Sequence, residues 1–192
     1  MSANNKTQIL IVDDIAENIK LVMNFLKEDD YDFSYATSGS KALELLDQNK
    51  VNFDLILLDI MMPKIDGFEV CKKIKQNPKH NDVPIIFLTA KIDVDSIRKG
   101  FSLGAVDYIT KPFNADELLA RVRTHVQLYQ AKRLLQIHNI ALKTKIEFEH
   151  VRLLTELEYN QKEMIWMLTE LMEATSDETG KHIRRVAEMC SL

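Results

Sequence analysis

The sequence predicts an α/β fold, in which a doubly wound parallel sheet of five strands is followed by a long helix. Two observations carry this prediction. Short apolar runs of strand length alternate with amphipathic stretches in the first part of the chain. The helix breakers are confined to that part, since four of the five glycines and all four prolines lie between residues 39 and 112. Such alternation is typical of a parallel sheet that carries helices on both faces.

The predicted strands are short, and three of them are apolar almost throughout. Strands of that kind are expected where helices cover both faces of a sheet. We predict strands at residues 8–12, 33–36, 54–58, 84–88 and 105–109. The helices between them are predicted at about 17–28, 38–49, 66–76 and 93–103. The resulting order is βαβαβαβαβ, followed by helix.

The last part of the chain is predicted to be helical nearly throughout. The 67 residues from 113 to 179 contain neither glycine nor proline and are rich in good helix formers. Asn114 can cap the start, with Glu117 three residues later, and Phe113 can pack against Leu118. We expect one or two very long helices.

This helical region carries the apolar spacing of a coiled coil. One run has leucines seven residues apart, and a second run alternates spacings of three and four. These residues are Leu128, Leu135 and Leu142 in the first run and Leu154, Leu157, Gln161, Met164, Leu168 and Leu171 in the second. The runs do not join in one register, so a stutter or break is expected near 143–150. The pattern predicts a homodimer, and the alternative is an antiparallel hairpin within one chain.

Composition and charge exclude several classes of protein. The chain has 192 residues, with 25 Lys and Arg against 29 Asp and Glu, so no broad basic surface for nucleic acid is expected. No apolar run reaches the length of a membrane span, and the polar start does not resemble a signal peptide. We expect a cytoplasmic protein without nucleic-acid or membrane partners. Cys71 and Cys190 are far apart and are expected to be buried small residues.

Six residues follow the predicted strands at the edge where ligands bind in open parallel sheets, and five of them have polar side chains. They are Asp13, Asp14, Asp59, Thr89, Ala90 and Lys111. Carboxylates that are close together repel each other, and Mg²⁺ relieves that repulsion because it prefers oxygen ligands. Asp59 could then attack phosphorus as a nucleophile. Lys111, the Thr89 hydroxyl and the Ala90 amide could stabilise the charge on a transferring phosphoryl group.

Four motifs resemble the signature set of the response-regulator receiver domain, which has a flavodoxin-like fold. They are Ile11-Val12-Asp13-Asp14, Leu57-Leu58-Asp59-Ile60-Met61-Met62-Pro63 with Asp66-Gly67, Leu88-Thr89-Ala90, and Tyr108-Ile109-Thr110-Lys111-Pro112-Phe113. The resemblance covers residues 7 to about 128. Any one motif alone has a structural explanation, such as a helix cap for Asp13 and Asp14 or an ordinary loop for Lys111-Pro112.

The resemblance implies a role for each matching residue. Asp59 would be the phosphoacceptor, and Lys111 would pair with the phosphoryl group, with a cis bond before Pro112. The metal ligands would be Asp14 directly, Asp13 through water, Asp59, and the backbone carbonyl of Met61. Thr89 and Tyr108 would form the switch pair, in which the hydroxyl moves to the phosphoryl group and the ring turns inward. Mg²⁺ would be the cofactor, and a histidine kinase or phosphotransfer protein would be the partner.

The end of the sequence resembles the opening of an HD-GYP domain, the family of metal-dependent cyclic di-GMP phosphodiesterases. The matching segment is Asp177-Glu178-Thr179-Gly180-Lys181-His182-Ile183-Arg184-Arg185-Val186. The resemblance implies that Glu178 and His182 would be metal ligands in a longer parent protein. The alternative is a helix break at Gly180 followed by a surface helix. No His-Asp pair or Gly-Tyr-Pro occurs in the sequence, so we do not expect this chain to be the phosphodiesterase.

The predicted organisation has four parts: a disordered N-terminus at 1–6, the receiver domain at 7–128, a signalling helix and coiled coil at 129–175, and the start of a truncated HD-GYP-like domain at 176–192. The predicted function is a phosphorylation switch that regulates a downstream output domain. The only chemistry expected of the chain itself is phosphorylation and dephosphorylation of Asp59. One alternative is a complete interaction protein whose helix is a docking platform. Another is an enzyme whose remaining active-site residues come from a separate chain.

Overall fold

The computed structural model describes residues 6–48, 50–90 and 94–189. The predicted order of elements is confirmed. The strands are β1 (Thr7–Val12), β2 (Tyr31–Ala36), β3 (Leu55–Asp59), β4 (Ile85–Thr89) and β5 (Asp107–Thr110). The helices are α1 (Ala16–Leu26), α2 (Gly39–Asp47), α3 (Gly67–Gln76), α4 (Val94–Ser102) and α5 (Ala115–Met189). Residues 1–5 of the predicted disordered N-terminus lie outside the described residues.

The five strands form one parallel sheet in the order β2-β1-β3-β4-β5. Every residue of β3 and β4 is buried, as are the last four residues of β1. These are the three strands predicted to be covered on both faces, and each has a neighbouring strand on both sides. The doubly wound sheet predicted from the apolar runs is therefore confirmed.

Two apolar cores lie on opposite faces of the sheet, because successive side chains of a strand point to opposite faces. Leu10, Ile56 and Phe87 belong to one core, which the buried faces of α2 and α3 complete. Ile11 and Leu57 belong to the other core, which α1 and the first turns of α5 complete. The sheet is thus held from both sides, and the ends of its central strands are fixed in place.

Helix α5 begins as the sequence predicts. The Asn114 side-chain oxygen accepts a hydrogen bond from the Glu117 amide at 3.0 Å, and Phe113 packs in the same core as Leu118. Further along, Arg121 Nη1 lies 2.7 Å from Asp107 Oδ1, and His125 Nε2 lies 3.0 Å from Asp107 Oδ2. Burial raises the pKa of Asp107, but the hydrogen bonds from Arg121 and His125 outweigh it, and the pKa lies below its ordinary value. These contacts join α5 to the start of β5.

Helix α5 is continuous from Ala115 to Met189. The break considered near 143–150 is absent, as is the break considered at Gly180, and α5 does not fold back as an antiparallel hairpin. The coiled coil remains a prediction. The chain divides into two compact units, Met1–Leu135 and Gln136–Leu192. The predicted domain limits at 128 and 175 also remain predictions.

Two further expectations concern single residues and membrane segments. Cys71 is buried, as predicted, whereas Cys190 lies outside the described residues. Among the helices of the described residues, none has a segment long and apolar enough to cross a membrane.

Candidate functional site

The predicted site residues meet at the carboxyl edge of the sheet. Asp13 directly follows β1, Asp59 ends β3, Thr89 ends β4, and Lys111 directly follows β5. The four strands are neighbours in the order β1-β3-β4-β5, so their ends lie side by side. The structure therefore brings together residues that are up to 98 positions apart in the sequence.

Three carboxylates form a cluster that could hold a metal ion. One oxygen each of Asp13, Asp14 and Asp59 lies within 4.8 Å of the other two. Asp13 and Asp59 are buried, whereas Asp14 is exposed. This donor set fits a hard divalent cation such as Mg²⁺, which takes carboxylate oxygens and keeps several of its waters on the open side.

Lys111 bridges the two buried carboxylates. Its Nζ atom lies 2.7 Å from Asp13 Oδ2 and 3.0 Å from Asp59 Oδ2. The bond from Lys111 to Pro112 is cis, as the resemblance implies. One positive charge therefore partly offsets two negative charges in a region that water hardly reaches.

The position of Asp59 makes its ionised form costly. Burial raises the pKa of Asp59, Lys111 opposes that effect, and the nearby charge of Asp13 adds to it, so the pKa lies above its ordinary value. The Met61 amide also donates a hydrogen bond of 3.3 Å to Asp59 Oδ1. An ionised Asp59 is consequently favoured when further positive charge reaches the cluster.

Asn18 is a site residue that the sequence analysis missed. Its side-chain amide donates to both carboxylate oxygens of Asp13, at 3.0 and 3.1 Å. The Ile15 amide donates to Asp13 Oδ1 at 2.9 Å, while the N-cap of α1 is Ile15 and has no side-chain cap. Asp13 therefore lies in a local turn and does not cap α1. The only sequence signal for Asn18 is its place in the first turns of the helix that follows Asp13.

Thr89 and Tyr108 line one small pocket between β4, β5 and α4. The pocket has a cavity volume of about 10 Å³ and is also lined by Ile97 and Phe101. Thr89 is buried, and the Tyr108 ring packs edge-on against Phe101 with 6.3 Å between the ring centres. A space of that size holds about one water molecule, so a ring could enter only if side chains moved. The two residues of the predicted switch pair therefore line the same pocket.

The remaining predicted residues fall into two groups. Ala90 is exposed directly after β4, and Met61 is exposed after β3, so both lie at the same edge as Asp59. The side chains of Glu178 and His182 lie outside the described residues. The roles assigned to the site residues from the resemblance remain predictions.

The sequence matches the family described as "Response regulator receiver domain" over residues 9–123. Solved structures with this fold include a two-component response regulator from Clostridium difficile, with a TM-score of 0.58 and 31% identity over 64% of this chain and 97% of that one. Another is the signal receiver domain of an HD domain-containing protein from Pseudomonas fluorescens, with a TM-score of 0.62 and 25% identity over 69% of this chain and 96% of that one.

Two curated relatives extend beyond the matched domain. A Vibrio cholerae protein named "Probable cyclic di-GMP phosphodiesterase" is 41% identical over 177 residues, which are 92% of this chain. The chain spans only 38% of that protein's length. Response regulator ArlR of Staphylococcus saprophyticus is 37% identical over 169 residues, with 85% of this chain and 73% of ArlR covered.

Proposed function

Because the chain belongs to the response regulator receiver family, we propose that Asp59 accepts a phosphoryl group from a histidine kinase or a phosphotransfer protein. The observation that carries this proposal is the placement of the buried Asp59 carboxylate beside both Lys111 and the acidic pair Asp13 and Asp14. In the proposed step a carboxylate oxygen of Asp59 forms a bond to phosphorus, and the bond between phosphorus and the donor's imidazole nitrogen breaks. The product is an acyl phosphate.

The acidic cluster supplies the metal ligands in this proposal. The carboxylates of Asp13, Asp14 and Asp59, with the backbone carbonyl of Met61, would hold Mg²⁺. The bound ion offsets the negative charge of the phosphoryl oxygens. Asn18 keeps Asp13 oriented, because its amide donates to both carboxylate oxygens. Asp14 is the exposed member, so it faces the side from which the ion and its waters would arrive.

The Lys111 ammonium group would change its partner when the phosphoryl group is transferred. Before transfer it contacts Asp13 and Asp59. After transfer one Asp59 oxygen is bonded to phosphorus, and Lys111 would donate to a phosphoryl oxygen. The Thr89 hydroxyl and the Ala90 amide would donate to the others, since Thr89 ends β4, the strand beside β3, and Ala90 directly follows it.

The added charge would change the face next to the site. A phosphoryl group carries a charge near −2 at neutral pH. Movement of the Thr89 hydroxyl towards it would open the pocket that Thr89 shares with Tyr108, and the Tyr108 ring would turn inward. Tyr108 packs on Phe101 of α4 and lies 5.9 Å from the Arg121 guanidinium of α5. These contacts connect the site to the face formed by α4, β5 and α5.

We propose that the output passes along α5 to a domain of a longer protein. The Vibrio cholerae relative supports a cyclic di-GMP phosphodiesterase as that output, because its similarity runs through nearly the whole chain. The segment that resembles an HD-GYP opening lies at the far end of α5, where Glu178 and His182 would contribute to the metal site of that domain. A homodimer through α5 is part of this proposal. The alternative, a phosphorylation-dependent docking module, is favoured by the exposed apolar residues of α5.

The test is phosphoryl uptake from acetyl phosphate with Mg²⁺, measured as the mass of the intact chain. We expect one phosphoryl group on the native chain and none on Asp59→Asn. Asp66→Asn is the matched control. Asp66 is an exposed carboxylate that caps the start of α3, and asparagine caps a helix equally well. Uptake by Asp59→Asn that equals uptake by the native chain would show that another residue is the nucleophile.

A further inference from the structure

Part of α5 carries an apolar stripe with an 11-residue repeat. Three rows of residues recur at that spacing between 139 and 172. The rows are Asn139, His150, Gln161 and Met172; Leu142, Leu153 and Met164; and Ile146, Leu157 and Leu168. A spacing of 11 residues corresponds to about 3.67 residues per turn, so the rows lie next to one another along one side of a nearly straight helix. In this repeat Leu142 recurs as Leu153, and Leu154 lies outside the three rows.

The stripe is exposed over its whole length. Its seven large apolar side chains are between 44% and 73% exposed, from Leu142 to Met172 respectively. The polar members Asn139, His150 and Gln161 are exposed as well. A long row of exposed apolar side chains is typical of an interaction site. The repeat indicates which kind of partner fits the stripe. A stripe with an 11-residue period packs best against another helix with the same period.

We propose that this stripe pairs with the same stripe of a second copy of the chain, parallel and in register. The proposal deepens the homodimer of the proposed function and rests on it. In register, each polar residue meets its own counterpart, so Asn139, His150 and Gln161 form three polar layers between apolar ones. A buried polar layer fixes the register of paired helices, because any slip leaves polar groups against apolar side chains.

The charges beside the stripe favour the parallel arrangement. Glu149 precedes His150 on one shoulder of the stripe. In a parallel pair opposite shoulders face each other, so the two copies of Glu149 lie on different sides of the pair. An antiparallel pair that keeps the polar layers matched is centred on His150. It would bring the two copies of Glu149 together, which costs energy.

The test is disulfide formation in the full chain, with Cys190→Ser as the parent so that only the buried Cys71 remains. We expect Ile146→Cys and Leu157→Cys to shift most of the chain to a covalent dimer on a non-reducing gel after mild oxidation. Thr155→Cys is the matched control, because residue 155 lies on the opposite side of the helix from the stripe. Residues 146 and 157 belong to the same row of the stripe. If one cysteine disturbs the local packing, the other variant still tests whether the stripe pairs.

Three results would overturn the proposal. A dimer from Glu147→Cys and none from Ile146→Cys would mean that the seven-residue register of Leu154 and Leu157 continues through this segment. Linkage of Ile146→Cys to Leu154→Cys, and not to itself, would mean an antiparallel pair. No excess of dimer over Thr155→Cys would mean that the stripe does not pair. Phosphoryl uptake by the same variants reports on Asp59 alone, so failure of the proposed acceptor and failure of the pairing are separate results.

Discussion

At the level of single residues, Lys111 is the residue that links the buried carboxylates of the candidate site. Its ammonium group is the partner of two buried carboxylates, Asp13 and Asp59, and its own side chain is only 17% exposed. We predict that Lys111→Ala lowers the free energy of unfolding by about 3 kcal/mol in metal-free buffer, because two buried carboxylates lose their common partner. Mg²⁺ should restore more stability to the variant than it adds to the native chain, since the ion supplies the missing positive charge.

Urea unfolding with and without Mg²⁺ measures both effects. Lys41→Ala is the control, because the Lys41 ammonium group donates an exposed hydrogen bond to the Thr37 hydroxyl and none to a carboxylate among the bonds of the described residues. Equal stabilisation of the native chain and of Lys111→Ala by Mg²⁺ would contradict the shared role of lysine and metal at this cluster.

Gly67 is the residue that lets the chain pass close to Asp59. A Cβ atom at this position would lie 2.2 Å from the Asp59 carbonyl oxygen and 2.8 Å from Ile60 Cα. We predict that Gly67→Ala lowers the free energy of unfolding by about 3 kcal/mol and reduces phosphoryl uptake, because the backbone that carries Asp59 must shift. Gly180→Ala is the control, since nothing in the described part of the chain lies within 4 Å of a Cβ atom there. Similar denaturation midpoints for the two variants would contradict this account of Gly67.

The sequence predicted the residues at the strand ends and missed the residues that position them. Asp13, Asp59, Thr89 and Lys111 could be predicted because the carboxyl ends of parallel strands meet at one edge. The contact from Asn18 to Asp13 depends on the direction of a side chain in the first turns of α1, which no periodicity encodes.

At the level of elements, Asp107 joins β5 to α5 through Arg121 and His125. The folded-state pKa of Asp107 lies below its ordinary value of 3.8. The ion pair therefore contributes stability that is complete above pH 3.8 and is lost as the pH falls through the folded-state pKa. We predict that Asp107→Asn lowers the free energy of unfolding by about 1.5 kcal/mol at pH 7, a modest value because Arg121 is about one third exposed.

The measurement is urea unfolding of native chain and variant between pH 7 and pH 3. The difference should shrink as the pH falls below 3.8. Asp116→Asn is the control, because Asp116 is an exposed carboxylate in the first turn of the same helix. A difference between native chain and Asp107→Asn that does not depend on pH would indicate a packing effect and not the ion pair.

The limits of the elements show what periodicity can and cannot predict. β3 and β4 end at Asp59 and Thr89, one residue later than predicted, because strand pairing continues past the apolar run and joins Asp59 to Leu88. β2 begins at Tyr31, two residues early, since the half-buried edge strand pairs with Thr7 and Gln8. Of the stutter or break expected near 143–150, the break is absent, because the backbone of α5 stays helical there.

The whole molecule combines a receiver fold with a helix that is far longer than the fold needs. α5 has 75 residues, and only its first turns contribute to the apolar core. Beyond residue 136 it belongs to the second compact unit, and its apolar side chains are exposed. Most of the stability of a helix in a protein comes from the packing of one of its faces, and we propose that a second copy packs against the stretch from 139 to 172. We propose this helix as the route of the output.

We infer that a phosphoryl group on Asp59 changes the state of α5. The most direct measurement is the fluorescence of Trp166, the one tryptophan of the chain, which is 64% exposed on α5. Beryllofluoride with Mg²⁺ is used as the mimic of the phosphoryl group, and its binding is followed by calorimetry. We predict that beryllofluoride with Mg²⁺ causes a saturable change of Trp166 fluorescence in the native chain and no change in Asp59→Asn. Saturated binding of beryllofluoride to the native chain with unchanged Trp166 fluorescence would contradict it.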